Sequence, residues 1–534
     1  MPFRALLIAA VFLLFGGAGI LGVFLGVLSQ AERLRPKVAL DVPSSPPQSS
    51  IIATNSVPAA PAANAPADDP APAPAPAAPP NEAVGLATAP AAAPREEAAA
   101  PPPAPPAVAP SPPANAAAPT APPAPPAPQE PAVVALNYQP TNAGETRPKA
   151  GAVTILQLGD SHTSADFLTG ELRRRLQKIY GNGGSGYVTA GRPHIGVLSS
   201  TLKIAVSPGW TYEALQRSED IGQFWMSGFN TVASKAGETL SFTAAKPETF
   251  DVIEIEAIRR PGGGAFDIKL DGSLEGSFDL AGDKVEPVVI RLVPDHGPTN
   301  KVHDITLATK RDGVVSISSV AIYDTRAGLI YDSVGYPGAT VDILNKLDER
   351  LFESDLRRLK PQIVVLSFGT NEASKENLDL ALYTRKYERV IAKIRAALPA
   401  AAIVLIGPPE GEDLPAHCKD KAREEAVCRR PEANADTPAA AEACAWKVLP
   451  KLAAVREAER KIAERDGLVY WNWASIMPKE CGADRWRAES PPLMAKDHIH
   501  FTIAGYKKSA AAFLDTLVPV IDKVRSRSDA VSNN

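Results

Sequence analysis

Two hydrophobic periods divide the chain. Val153-Thr-Ile-Leu-Gln-Leu158 is a short apolar run ending at Gly159. Phe167, Leu168, Leu172, Leu176 and Ile179 then recur at helical spacing across 164–180. A strand, a sharp turn and a helix in that order predict the start of an α/β fold. From about 200 to 325 the period shortens to two, as in Thr239-Leu-Ser-Phe-Thr243, Val252-Ile-Glu-Ile-Glu256, Phe266-Asp-Ile-Lys-Leu270 and Val314-Val-Ser-Ile-Ser318, with turns at Gly262-Gly-Gly264 and Asp271-Gly272. That pattern predicts an all-β sandwich inserted into the α/β domain. The longer pattern resumes near 328, with strands expected at 330–334, 363–368, 403–406 and 468–471 and helices at 340–358, 378–397, 447–465 and 503–521. Short strands joined by helices predict a doubly wound, flavodoxin-like parallel sheet with ligands at the C-terminal ends of its strands. Residues 524–534 read as a frayed polar tail.

Composition changes the picture upstream. The chain has 534 residues and 53 prolines, 29 of them between Val38 and Ala135, and alanine fills much of the rest of that stretch. Such a segment buries too little apolar surface to offset chain entropy, and runs such as Pro70-Ala-Pro-Ala-Pro-Ala-Pro76 favour extended polyproline II. Residues 38–150 are therefore expected to be a disordered Pro/Ala-rich linker, a spacer rather than a ligand for an SH3-type module. Residues 5–28 carry no charge. As a helix they would span about 36 Å, enough to cross a bilayer core. Residues 1–37 are read as an uncleaved membrane anchor, with a cleaved signal peptide ending near Ser29-Gln30-Ala31 as the alternative. Arg33, Arg35 and Lys37 would by charge alone keep the body in the cytoplasm. The extreme N-terminal position of the segment and the chemistry below favour the opposite side of an inner membrane, the periplasm. A net charge of −4 without a long basic run argues against nucleic acid as the main partner.

Four points carry candidate chemistry. Gly159-Asp160-Ser161-His162 follows the first strand, where a serine on a strand-to-helix turn exposes its hydroxyl beside backbone N–H groups. Gly335-Tyr-Pro-Gly338-Ala-Thr340 places glycines where a backbone amide can face a pocket. Gly369-Thr370-Asn371-Glu372 offers a side-chain amide. In Asp497-His498-Ile499-His500 a spacing of three lets one turn bring the carboxylate to the imidazole of His500. Taken singly, each has an ordinary reading as a helix cap, a plain turn or a surface side chain. His498, at the wrong spacing for the pair, reads as such a surface residue. A zinc site made by Asp497-x-x-His500 with His498, recruiting nearby Cys481, is the rival, but no Cys-x-x-Cys or His-Glu-x-x-His spacing supports it.

The order of these four blocks resembles the SGNH/GDSL hydrolase family. The text around Gly159–Leu168 and Asp497–Tyr506 is similar to its peptidoglycan O-acetylesterase branch, whose members carry a carbohydrate-binding-like β domain between the first two blocks. The resemblance implies an esterase that removes O-acetyl groups from a cell-wall glycan, with no cofactor and no metal. It implies Ser161 as nucleophile, Asp497 and His500 as its partners, and an oxyanion hole made by the amides of Ser161 and Gly338 with the Asn371 side chain. Glu372 stands where the family commonly has aspartate, and Tyr336-Pro337 replaces a more usual pair before Gly338. On this reading 151–199 and 328–523 are two parts of the hydrolase domain and 200–327 is the insertion. Two alternatives stay open: an O-acetyltransferase using the same residues, and a non-catalytic glycan-binding protein. The four cysteines, Cys418, Cys428, Cys444 and Cys481, allow three pairings; export predicts at least one disulfide pinning the loop 407–445 near the pocket.

Overall fold

The computed structural model describes 153–532 except 220, 222, 294–300, 326–327, 416–417, 419–427 and 429–443, with side chains to 527, and the backbone of Ala132–Leu136. The anchor expected at 5–28 and most of the linker lie outside the described residues. Among the described residues no helix is long and apolar enough to cross a membrane.

The α/β domain is built on five parallel strands: β1 (Val153–Gly159), β2 (Leu329–Gly335), β3 (Ile363–Ser367), β4 (Ala402–Gly407) and β5 (Val469–Asn472), in the order β2-β1-β3-β4-β5. This is the doubly wound order expected from the pattern. β1 and β3 are buried at every position, which is why they read as continuous apolar runs rather than alternating ones. Between them run the helices α1 (Ser161–Ser164), α2 (Phe167–Tyr180), α3 (Asp342–Lys346), α4 (Glu349–Leu359), α5 (Thr370–Ala373), α6 (Leu380–Ala397) and α7 (Leu452–Asp466), and after β5 come α8 (Gly482–Ala488) and α9 (Ile503–Ser532). The helix expected at 340–358 is two helices, because Asp348 caps α4 by accepting the N–H groups of Arg350 and Leu351. The expected polar tail is instead helical, since α9 runs on to Ser532.

The inserted unit is a two-sheet β sandwich. One sheet has the order Ala132–Leu136, Glu286–Leu292, Val252–Arg259, Val315–Tyr323, Phe229–Ala233, Thr211–Ala214, with Gly186–Thr189 also on Val315–Tyr323. The other has the order Ser273–Asp279, Ala265–Leu270, Lys301–Arg311, Thr239–Thr249, Leu202–Val206. Inward side chains of both sheets, such as Phe242, Ile255, Ile268, Ile290, Leu307 and Ile317, share one core.

Two strands correct the expected boundaries. Gly186–Thr189 falls in what was read as the first part of the hydrolase domain, yet it pairs with the insertion's sheet. Ala132–Leu136 falls in the expected linker, yet it adds a parallel edge strand to Glu286–Leu292. The sandwich is fixed to the α/β domain by the buried Arg358 of α4, which pairs with Glu254 and Glu256 of the insertion and with Asp355. Asp355 in turn accepts the Met226 N–H at 2.9 Å.

Candidate active site

Three strand ends converge above the sheet. The Asp160 N–H donates to the Ser367 carbonyl at 3.1 Å, and the Tyr336 N–H donates to the Gly159 carbonyl at 2.9 Å. The turns after β1, β2 and β3 are thereby tied together. Two glycines permit the approach. A Cβ on Gly159 would lie 2.7 Å from the Ser367 carbonyl oxygen, and one on Gly335 would lie 2.1 Å from the Ser164 nitrogen.

Ser161 is the first residue of α1, and the Asp160 side chain caps that helix by accepting the His162 N–H at 3.0 Å. His500 lies in the turn before α9. Its Nε2 is 2.8 Å from Ser161 Oγ, and its Nδ1 is 2.7 Å from Asp497 Oδ2. The other Asp497 oxygen accepts the N–H groups of Ile499 and His500 at 3.0 and 2.9 Å, so the carboxylate is held from two sides. Residues 339 positions apart thus form one hydroxyl–imidazole–carboxylate relay.

Electrostatics follow from this packing. Burial alone would raise Asp497, but the hydrogen bond and charge of His500 and the backbone N–H groups outweigh it and hold the carboxyl at about 2. Burial would lower His500; Asp497, with a contribution from the charge of Asp160, outweighs it and lifts the imidazole above its ordinary value. Beneath lie two groups that the sequence did not single out. Asp160 is pushed up to about 6 by burial. His162 is pushed down to about 3 by burial, then by the charge of His500, and its Nδ1 meets Tyr506 Oη at 3.0 Å. His162 is therefore a neutral ring at neutral pH, 5.3 Å from that of His500.

Gly338 and Asn371 sit in the second and third turns. Gly338 has φ +71, and a Cβ there would meet open space, so its backbone conformation rather than crowding calls for glycine. Asn371 spends one N–H of its amide on the Ala339 carbonyl at 2.8 Å, which joins its turn to that of Gly338. Glu372 completes the tie. It accepts the Val341 N–H at 2.7 Å and the Gly369 N–H at 3.1 Å, and burial pushes its carboxyl up to about 7. The sequence flagged Glu372 only as a departure from a family pattern.

His498 corrects an expectation. It is buried, not on the surface: its ring stacks on Trp446 at 3.7 Å, and its Nδ1 meets Glu412 Oε2 at 2.8 Å. The rival zinc set is not assembled. His498 and His500 serve different partners, and Cys481 is disulfide-bonded to Cys428. The second disulfide joins Cys418 to Cys444.

This geometry can move a proton from a hydroxyl to an imidazole while a half-buried carboxylate steadies the resulting cation. Residues 320–508 match the GDSL-like lipase/acylhydrolase family. No curated protein matches the sequence. Among solved structures, a peptidoglycan O-acetylesterase is similar at 24% identity and TM-score 0.54, covering 70% of this chain and 92% of that one. A family two carbohydrate esterase from Clostridium thermocellum aligns at 12% identity and TM-score 0.22, covering 58% and 99%. One from Corynascus thermopiles (Myceliophthora fergusii), with a carbohydrate-binding domain, aligns at 12% and 0.24 over 58% and 99%. The family match spans the turns of Gly338, Asn371 and His500, so this part of the chain is similar to the GDSL-like acylhydrolases, and the relay that it completes with Ser161 is that of a carboxylic ester hydrolase.

Proposed function

We propose that the protein is a serine O-acetylesterase that removes acetyl groups from carbohydrate hydroxyls, with acetylated peptidoglycan as its substrate. The observation that carries the reading is the relay from Ser161 Oγ through His500 to Asp497. His500 Nε2 takes the Ser161 proton as Oγ adds to the ester carbonyl. The N–H groups of Ser161 and Gly338 and the free N–H of the Asn371 amide hold the oxyanion. The carbon–oxygen bond to the sugar then breaks, and His500 returns its proton to the leaving sugar oxygen. Water, deprotonated by His500, attacks the acetyl-serine and releases acetate. His162 stays neutral beneath His500 and so does not compete for that proton.

A carbohydrate substrate is supported by the β sandwich locked to the catalytic domain through Arg358, and by the likeness of the whole arrangement to a peptidoglycan O-acetylesterase. The uncharged segment at 5–28 and the Pro/Ala-rich stretch after it support a protein held at the inner membrane that works in the periplasm. Acetate release from native sacculi by wild type and by Ser161→Ala tests the reading. Release should vanish in the variant. Release that persists in Ser161→Ala would exclude this serine. Hydrolysis of a nitrophenyl acetate with no release from sacculi would exclude this substrate.

A further inference from the structure

The turn that carries Asp497 and His500 has a second side, and it is occupied. His498 adopts φ +57, a left-handed conformation uncommon outside glycine. That kink turns His498 toward Glu412 and Trp446 while Asp497 meets His500 and His500 meets Ser161. Glu412 holds the turn twice: its N–H donates to the His498 carbonyl at 3.0 Å, and its Oε2 meets His498 Nδ1. Its other oxygen accepts the Asp484 N–H of α8 at 3.3 Å. Glu412, His498 and Trp446 are all buried.

Behind them lies a small module of described residues, Glu412–Leu414, Cys418, Cys428 and Cys444–Val448, closed by both disulfides. Glu412–Asp413 pairs with Lys447–Val448, and Leu414, Cys418 and Trp446 form an apolar cluster against Cys428 and Cys444. Cys428–Cys481 then ties the module to the start of α8. A buried carboxylate–imidazole contact costs desolvation that an apolar pair would not, and what it supplies in return is direction.

We propose that Glu412, His498 and Trp446 are positioning residues, through which the disulfide-closed module sets the placement of Asp497 and His500. The proposal rests on the esterase reading. None of the three contacts Ser161, and they act only through the turn. A displacement of about 1 Å in such a turn can cost about a hundredfold in rate.

The test uses the full chain, a nitrophenyl acetate, and a fluorophosphonate that labels reactive serine. Turnover is expressed per labelled serine, so that loss of folded protein drops out. His498→Ala and Glu412→Leu should lower kcat per labelled serine about 10- to 100-fold with KM little changed. His498→Asn, which tolerates the left-handed backbone and keeps an N–H donor, should recover part of that loss. Cys428→Ser with Cys481→Ser should shift kcat in the same direction by several-fold. The acid limb of kcat/KM should also move to lower pH in His498→Ala. The groups facing His500 are Ser161, Asp497, Asp160 and His162, and a looser Asp497 contact lifts the imidazole less. If kcat per labelled serine and the acid limb stay at wild-type values while only labelling or melting temperature falls, the proposal is overturned and the three residues merely stabilise the fold. A wild type that neither labels nor hydrolyses overturns the esterase reading, and the proposal with it.

Discussion

Glu372 allows a sharp test, because its carboxyl is buried between two turns and pushed from 4.5 to about 7. Burial is the first cause; the charge of Asp160 adds to it, and the N–H groups of Val341 and Gly369 oppose it. A folded-state pKa above the unfolded one means that the folded protein binds more protons between those values. Stability is then complete below about 4.5 and declines as pH rises through about 7. Each unit is worth about 1.4 kcal/mol, so the ionised side chain costs the fold about 3 kcal/mol above that window. Glu372→Gln removes the titration and leaves one of the two N–H groups without an acceptor, a loss of about 1–3 kcal/mol at every pH. Urea unfolding of both proteins from about pH 4.5 to about pH 8 should therefore show the variant gaining about 3 kcal/mol on wild type across the range. Slopes from buried acids that do not feel Glu372, such as Asp332, are common to both and cancel, whereas Glu459, raised in part by the Glu372 charge, shifts with it in the same sense. A difference between the two proteins that stays flat with pH would refute the reasoning.

Other outcomes follow from the proposed esterase reading. Asn371→Ala should lower turnover about 10²–10³-fold by removing an oxyanion donor, and Asp497→Asn about 10⁴-fold by releasing the imidazole, both read as kcat on a nitrophenyl acetate. Catalysis needs a neutral His500, so kcat/KM should fall as pH drops through the raised pKa of that group, while Asp497, held at about 2, stays charged throughout; a pH–rate profile with Asp497→Asn as reference checks this. Gly335→Ala should abolish soluble, active protein, since its Cβ would strike the Ser164 backbone. Gly338→Ala meets only open space and should cost about 1–2 kcal/mol of backbone strain with a measurable loss of kcat.

What could be read in the sequence depended on whether the signal was local. The β1 run 153–158 and the spacing of Asp497 and His500 are local, and both appear in the structure where expected. The meeting of Ser161 with His500 is not local, and only the order of four blocks along the chain pointed to it. Signals failed where a partner is remote. Glu372 gains its meaning from Val341 on another turn, and His498 from Glu412 and Trp446, 86 and 52 positions away, so each reads in isolation as an ordinary polar side chain. Gly186–Thr189 is too short and too close to a glycine-rich turn to announce a strand. Ala132-Val-Val-Ala-Leu136 has the right residues, but the proline-rich context upstream masked them.

That last strand has a mechanical consequence. Ala132–Leu136 pairs at five positions on the rim of the sandwich, aligned in the same direction as Glu286–Leu292. Tension along the strand axis loads those five rungs together, whereas a sideways pull unzips them one by one. Either way the load reaches Glu286–Leu292 before it reaches the α/β sheet.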